Sequence, residues 1–202
     1  MSRLPPVDRA SAPRELDPIF AMIESAMGFL PNSLLIMARR PELVQAFAGL
    51  AAAVNLNSDL PPGLNNMIAY MCSYAAGCMY CQAHTHHSAH RAGADTEKLE
   101  AIWEYETHPS FSEAERAALR FAQAAGQTPN AVTDADFEDL RKFYSEKQIL
   151  QIVAVISLFG FLNRWNDTLG TPLEAEPLAY AKETLTAKDW SAGKHDRAAT
   201  TD

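Results

Sequence analysis

Residues 77–84 read Gly-Cys-Met-Tyr-Cys-Gln-Ala-His, so two cysteines lie three positions apart and a histidine follows the second by three. A glycine precedes the pair, and residues 83–92 contain neither proline nor glycine, which predicts that the pair lies at the start of a helix. A helix N-terminus presents free N–H groups and a partial positive charge, and both stabilise a thiolate. His84 falls on nearly the same helical face as Cys81. The stretch therefore predicts a redox or peroxide-reducing site.

The rest of the chain predicts helices and contains few strand signals. It has no Asn-Gly or Asp-Gly hairpin turn and no sustained alternation of polar and apolar residues. Two capping boxes, Ser112 with Glu115 and Ser145 with Gln148, mark helix starts. We predict an all-α fold of alanine-rich helices at 15–27, 42–54, 61–76, 78–92, 95–103, 113–125, 134–144, 145–166 and 177–185. Residues 1–14 would form an N-terminal arm, 15–185 a single domain, and 186–202 a loosely held polar tail.

Composition narrows the classes of partner. The chain has 202 residues, a net charge of −8 and a pI near 5.2, which argues against nucleic acid or an anionic membrane as a partner. No apolar run approaches about 18 residues, and residues 1–18 lack the apolar core of a secretion signal. Three cysteines do not make a disulfide scaffold, so we expect a cytoplasmic protein in which the cysteine pair is catalytic or binds metal.

Residues 77–85, on their alanine-rich helical background, resemble the carboxymuconolactone decarboxylase / alkylhydroperoxidase D-like superfamily. Residues 161–174 resemble the ending of its peroxidase-related branch, and with residues 112–124 the similarity spans most of 20–175. The resemblance implies an all-α fold, a homo-oligomer, and reduction of hydrogen or organic peroxides by a cysteine pair that a protein disulfide partner recharges. It implies no flavin, haem, nicotinamide or metal.

Carried over by position, the resemblance implies that Cys81 attacks the peroxide, Cys78 resolves the product into a disulfide, and His84 acts as base. Local helix logic alone favours Cys78 as the attacking thiol, because it lies nearer the helix start. The family's glutamate twelve positions before the first cysteine is replaced here by Asn66, and Thr85 stands where the family's histidine often lies. Because an amide cannot shuttle a proton at neutral pH, we expect slow peroxidase turnover.

Other interpretations stay open at this stage. Cys78 and Cys81 could bind zinc together with two histidines of the following helix. The candidates are His84, His86, His87 and His90, although we expect His86 and His90 to face solvent or an interface. Cys72 is expected to be a core thiol. Asn163 and Arg164 follow the apolar stripe of the long helix and are expected either to reach the rim of the cysteine site or to form a structural ion pair. Lactone decarboxylation and a non-enzymatic redox sensor or interaction protein are the alternative functions.

Overall fold

The computed structural model describes residues 2–56 and 58–196, which fold into helices joined by short turns, with no strand among them. This confirms the predicted all-α fold. The α-helices are α1 Asp17–Met27, α2 Asn32–Met37, α3 Pro41–Asn55, α4 Leu64–Ala75, α5 Met79–Arg91, α6 Thr96–Glu100, α7 Glu113–Ala125, α8 Asp134–Arg141, α9 Glu146–Leu169 and α10 Ala175–Thr184.

Side-chain caps fix the starts of the helices in the second half of the chain. The Ser112 hydroxyl accepts the N–H of Glu115, whose carboxylate accepts the N–H of Ser112, and Ser145 and Gln148 repeat this arrangement at α9. Both predicted capping boxes are therefore confirmed. Each such cap stabilises a helix by about 1 kcal/mol. The sequence did not predict the short helix α2, and α9 continues three residues beyond Asn166 to Leu169.

Helix α4 lies at the centre of the main core and packs against α5, α7 and α9. Its fully buried side chains include Ile68 and Met71, and small residues such as Ala118 and Ala122 on α7 let the two helices approach closely. A second apolar cluster joins Leu16, Phe20, Leu34 and Val44 of the N-terminal segments. The long helix α9 packs beside the cysteine helix α5.

Helix α9 is, by length and composition alone, long and apolar enough to cross a bilayer, with a mean hydropathy of 1.3 over its most apolar window. An uninterrupted apolar run of that length is absent from the sequence, because Gln148 and Asn163 bound the apolar residues of α9 and Gln151 interrupts them. Core helices of soluble proteins pass the same test, so no membrane location follows from α9.

The prediction of a loosely held tail from residue 186 is wrong for residues 186–196. Trp190 and His195 are buried, and the Trp190 indole N–H donates to the carbonyl of Met79 at 3.1 Å. Residues 186–196 are mostly polar, and two buried side chains, Trp190 and His195, hold them against the rest of the protein. The overall composition of the segment therefore did not predict its packing. Residues 197–202 of the predicted tail lie outside the described residues.

Candidate active site

A glycine turn sets the cysteine pair at the start of α5. Gly77 has φ +70°, a left-handed conformation that a residue with a Cβ adopts only with strain. Cys78 follows as the N-cap residue of α5, and Cys81 lies in the first turn. Both thiols are free and buried, with 0% and 2% of their surface exposed. The predicted position of the pair at a helix N-terminus is therefore what the structure shows.

Cys81 and Cys78 face different surroundings. Cys81 lines a cavity of about 730 Å³ together with Tyr80, His84, Asn66 and Asn166. The sulfur of Cys78 instead lies within 4.8 Å of a carboxylate oxygen of Asp167 and a ring nitrogen of His195. The cavity walls are mostly apolar and include Ile23, Met27, Leu34, Phe47, Leu158, Phe159 and Leu162. A substrate in this cavity meets Cys81 first.

The Cys81 thiol is protonated in the resting protein. Burial raises its pKa well above the ordinary value of 9.0, and the neighbouring Cys78 thiol raises it further. The amide nitrogen of Asn166 lies 3.5 Å from the Cys81 sulfur and acts in the opposite direction, because it donates to the charged form. Burial of Cys81 therefore opposes the stabilisation of a thiolate that the helix N-terminus offers. The thiol needs a base when it reacts.

His84 has a carboxylate partner that the sequence reading did not find. A left-handed turn at Gly170 ends α9 and leads the chain to Glu174, whose Oε2 lies 2.6 Å from His84 Nε2. Burial opposes ionisation of Glu174, but the contact with His84 and the N–H of Asn32 lower its pKa below 4.5 overall. The ionised carboxylate requires an N–H at His84 Nε2, which leaves Nδ1 as the proton acceptor in the neutral ring. A carboxylate therefore contacts His84 from another part of the chain, although Asn66 stands where the family has its glutamate.

Tyr80 holds Glu174 and His84 in place. Its hydroxyl donates to Glu174 Oε1 at 2.8 Å, and its ring stacks on the His84 imidazole with centroids 4.3 Å apart. Burial, with a further contribution from Glu174, raises the pKa of Tyr80 well above 10.0, so the hydroxyl stays a donor. Together the three side chains form a fixed proton-accepting group at the wall of the cavity.

The expectation that Asn163 or Arg164 reaches the rim of the cysteine site is wrong. Both line a separate cavity beside Cys72, where the Asn163 amide lies 3.8 Å from the Cys72 sulfur. Arg164 is exposed. One turn further along α9, Asn166 takes the position beside Cys81. Cys72 is buried, as predicted, and burial raises its pKa to about 12.

The histidines of α5 are placed differently from one another. His86, expected to face solvent, is 3% exposed, and its two ring nitrogens contact the Tyr180 hydroxyl at 2.9 Å and the Leu99 carbonyl at 3.2 Å. Burial lowers its pKa to about 4, so the ring is neutral. His90 is exposed, as expected. His86 is therefore engaged in packing, which removes it from the zinc set proposed with Cys78 and Cys81.

Sequence reasoning missed Glu174, Asn166 and Tyr80 as site residues. All three belong to the stretches that carried the resemblance, 77–85 and 161–174. Their position in these two stretches was the available signal. A polar residue in a stretch that resembles the family is a candidate site residue in the same way as the cysteines.

Comparisons with known proteins identify the family and the fold of the chain. Residues 41–124 match the carboxymuconolactone decarboxylase family. The chain is 26% identical over 117 residues to the uncharacterised protein YnjA of Escherichia coli K12, of whose length the match spans 64%.

Among solved structures, the debrominase Bmp8 is 40% identical to this chain, with a TM-score of 0.83 over 90% of this chain and 97% of Bmp8. A cysteine-to-alanine variant of Bmp8 has been solved in complex with 2,3,4-tribromopyrrole. An uncharacterised peroxidase-related protein of Ralstonia eutropha JMP134, with an alkylhydroperoxidase AhpD core, is 26% identical, with a TM-score of 0.76 over 87% of this chain and 94% of its own. The chain therefore belongs to the carboxymuconolactone decarboxylase / alkylhydroperoxidase D-like superfamily.

Proposed function

We propose that the protein is a thiol-dependent oxidoreductase that reduces an apolar organic hydroperoxide and ends the cycle as a Cys78–Cys81 disulfide. One observation carries this proposal: Cys81 lines an apolar cavity beside the His84–Glu174 pair, whereas Cys78 is fully buried and is not among the residues that line it. This asymmetry gives Cys81 the attacking role and Cys78 the resolving role. The comparisons support a peroxidase-related or decarboxylase-like function in general terms.

The proposed first step uses the groups around Cys81. The Cys81 proton passes to Nδ1 of His84 as the sulfur attacks the outer peroxide oxygen. The O–O bond breaks, the alkoxide takes the proton back and leaves as alcohol, and Cys81 becomes a sulfenic acid. Glu174 stabilises the transient imidazolium, and Asn166 donates to the thiolate as it forms.

In the second step Cys78 attacks the sulfur of Cys81, water leaves, and the disulfide forms. A dithiol protein from outside the chain would then return both cysteines to thiols, one electron pair per turnover. We propose a cytoplasmic location for this cycle because a reducing compartment keeps such partners charged.

A halogenated aromatic ring is the second candidate substrate, and the similarity to the debrominase Bmp8 favours it. Removal of bromine would use the same two electrons, which the Cys78 and Cys81 thiols give up when they form the disulfide. Cys81 would take the bromine as the carbon–bromine bond breaks, the ring carbon would gain the proton held at His84, and Cys78 would displace bromide to form the disulfide. The mostly apolar walls of the cavity suit such a ring.

Substrate comparison tests these proposals. Reduced protein is mixed with cumene hydroperoxide, hydrogen peroxide or 2,3,4-tribromopyrrole, and free thiols and products are measured in a single turnover. We expect cumene hydroperoxide to react faster than hydrogen peroxide, because only the former gains from burial in the cavity. Continued turnover with a dithiol reductant separates an enzyme from a redox sensor, which would stop after one event. Equal inactivity of Cys81→Ser and wild-type protein would refute the thiol mechanism and favour a decarboxylase-like reaction.

A further inference from the structure

The C-terminal segment brings a second histidine to the cysteine pair. His195 lies in a short 3-10 turn, Gly193–His195, and its backbone carbonyl accepts the N–H of Leu173 at 2.8 Å. The side chain is 1% exposed. Its docking places the imidazole near Cys78, and neither residue lines the cavity onto which Cys81 opens.

The hydrogen bonds of His195 fix which ring nitrogen is free. Nδ1 lies 2.7 Å from the carbonyl oxygen of Thr171, an atom that can only accept, so Nδ1 carries the hydrogen. In the neutral ring Nε2 therefore holds a lone pair. Within the described part of the chain Nε2 has no hydrogen-bond partner, and a buried nitrogen without a partner is costly.

We propose that His195 accepts the proton of Cys78 when this thiol attacks Cys81 and closes the disulfide. The proposal rests on the two-cysteine reaction proposed above and assigns the proton of its second step. A ring nitrogen of His195 and the Cys78 sulfur lie within 4.8 Å of each other, so a small approach brings them into hydrogen-bond contact. The two cysteines would thus use different bases, His84 for the attacking thiol and His195 for the resolving thiol.

The charges around His195 suit a proton acceptor. Asp167 of α9 lies 3.8 Å from Nε2 and would stabilise the imidazolium, while Lys194 pairs with the same carboxylate at 2.7 Å. The Tyr80 ring packs against His195 from α5 with centroids 5.9 Å apart. Burial lowers the pKa of His195 below 6.5, opposed by Thr171 and Asp167, so the ring is neutral at neutral pH and ready to accept a proton.

Proton balance in the resolving step is simple. The Cys78 S–H bond breaks and its proton moves to Nε2, the new S–S bond forms, and the group on Cys81 leaves with its electron pair. The imidazolium then returns the proton to the leaving group or to water. Cys78, Asp167 and His195 offer three donor atoms, one fewer than a structural zinc site takes, and Lys194 already pairs with the Asp167 carboxylate, so we assign the cluster to proton transfer.

The test uses 2,2′-dipyridyl disulfide, a neutral aromatic probe that needs no peroxide. Cys81 attacks its S–S bond and releases one thiopyridone, and Cys78 then displaces the second as the Cys78–Cys81 disulfide closes. The two releases appear as two absorbance phases. Because the probe is not a substrate, this experiment can support the role of His195 even if the protein reduces no peroxide.

We expect His195→Gln to leave the first phase unchanged and to slow the second by about 10²-fold, the low end of general-base assistance. In wild-type protein the second phase should be nearly independent of pH around neutrality. In His195→Gln it should rise about tenfold per pH unit, because only the spontaneously formed thiolate then reacts. The matched control is His87→Gln, which removes another buried imidazole, one that belongs to α5. It should change neither phase.

Three results would overturn the proposal. They are a second phase in His195→Gln with wild-type rate and pH dependence, an equal slowing of both phases, or stoichiometric zinc in purified protein that the substitution removes. If His195→Gln does not fold, Asp167→Asn takes its place, because Asp167 is partly exposed. That variant should slow the second phase alone, and an unchanged second phase would count against the proposal in the same way.

Discussion

The carboxylate of Glu174 lies 2.6 Å from Nε2 of His84, although the two residues are 90 positions apart in the chain. Both side chains are nearly buried, with 9% and 11% of their surface exposed. Because water screens such a pair little, the carboxylate orients the ring and stabilises the imidazolium strongly. In the proposed mechanism the pair supplies the base that the buried Cys81 thiol lacks.

Glu174→Gln should slow disulfide formation with an organic hydroperoxide by about 10²-fold, because the amide no longer stabilises the His84 imidazolium. Stopped-flow measurement of thiol loss in a single turnover gives the rate. The control is Glu176→Gln, which removes a half-exposed carboxylate two residues further on, in α10. A wild-type rate in Glu174→Gln would show that His84 works without this partner.

The same carboxylate should make folding stability depend on pH in the acid range. The pKa of Glu174 is lower in the folded protein than its ordinary value of 4.5, so the unfolded chain binds a proton more readily. Its contribution to the free energy of unfolding is therefore complete above pH 4.5 and is lost as the pH falls through the lowered value. Urea unfolding of wild-type and Glu174→Gln protein across this range should show a difference that shrinks on acidification. A difference that grows would contradict the sign.

Local signals predicted the fold well, and long-range packing determined the parts of the site that were missed. Ser112 and Ser145 cap helices through residues three positions away, so their sequence neighbours contain the necessary information. Glu174 reaches His84 only because α9 ends at Gly170 and the chain turns back towards α5. No local pattern encodes that return.

The error on α9 has a related cause. This helix contacts α3, α4, α5, α7 and α8, so it has no single apolar stripe from which to read the direction of Cys81. Asn163 and Asn166 are one turn apart and are both buried polar residues. The first contacts Cys72 and the second Cys81, a choice that depends on the rotation of α9 against its neighbours.

Cys72 should stay reduced when peroxide oxidises the other two cysteines. Burial raises its pKa to about 12, and its sulfur packs against the Ile156 carbonyl at 3.7 Å. Both features make a thiolate rare and attack on it slow. Mass mapping after mild peroxide treatment should find two thiols lost and Cys72 alkylated. A bridge to Cys72, or equal oxidation in Cys78→Ser and wild-type protein, would contradict this.

We propose that the chain forms a homo-oligomer through an exposed face of α9. Leu150 and Phe161 are 69% and 39% exposed, and their spacing of three helical turns places them on one face. Exposed apolar residues in a row favour contact with another apolar surface. Leu150→Glu should therefore reduce the mass measured by light scattering. Glu138→Lys changes an exposed charge on a different helix, α8, without removing apolar surface, and should leave the mass unchanged. An unchanged mass in Leu150→Glu would exclude this face.

Asn66→Glu should not accelerate the wild-type protein. Asn66 lines the same cavity as His84, so an added carboxylate would sit near the base. Glu174 already fills the role of partner to His84, however, and a charge in an apolar wall is expected to weaken binding of an apolar hydroperoxide. Single-turnover thiol loss should therefore be equal or slower.

The double variant Asn66→Glu/Glu174→Gln makes the comparison decisive. Here the imidazole has lost its carboxylate, and a new one at position 66, which lines the same cavity, can replace it. We expect the double variant to react faster than Glu174→Gln alone, with the gain lost when His84 is replaced by glutamine. Acceleration of the wild-type protein by Asn66→Glu to the same degree would mean that Glu174 does not serve His84. No gain in either background would mean that a carboxylate at position 66 cannot reach His84. Among the described residues, Glu174 would then be the carboxylate that contacts this imidazole.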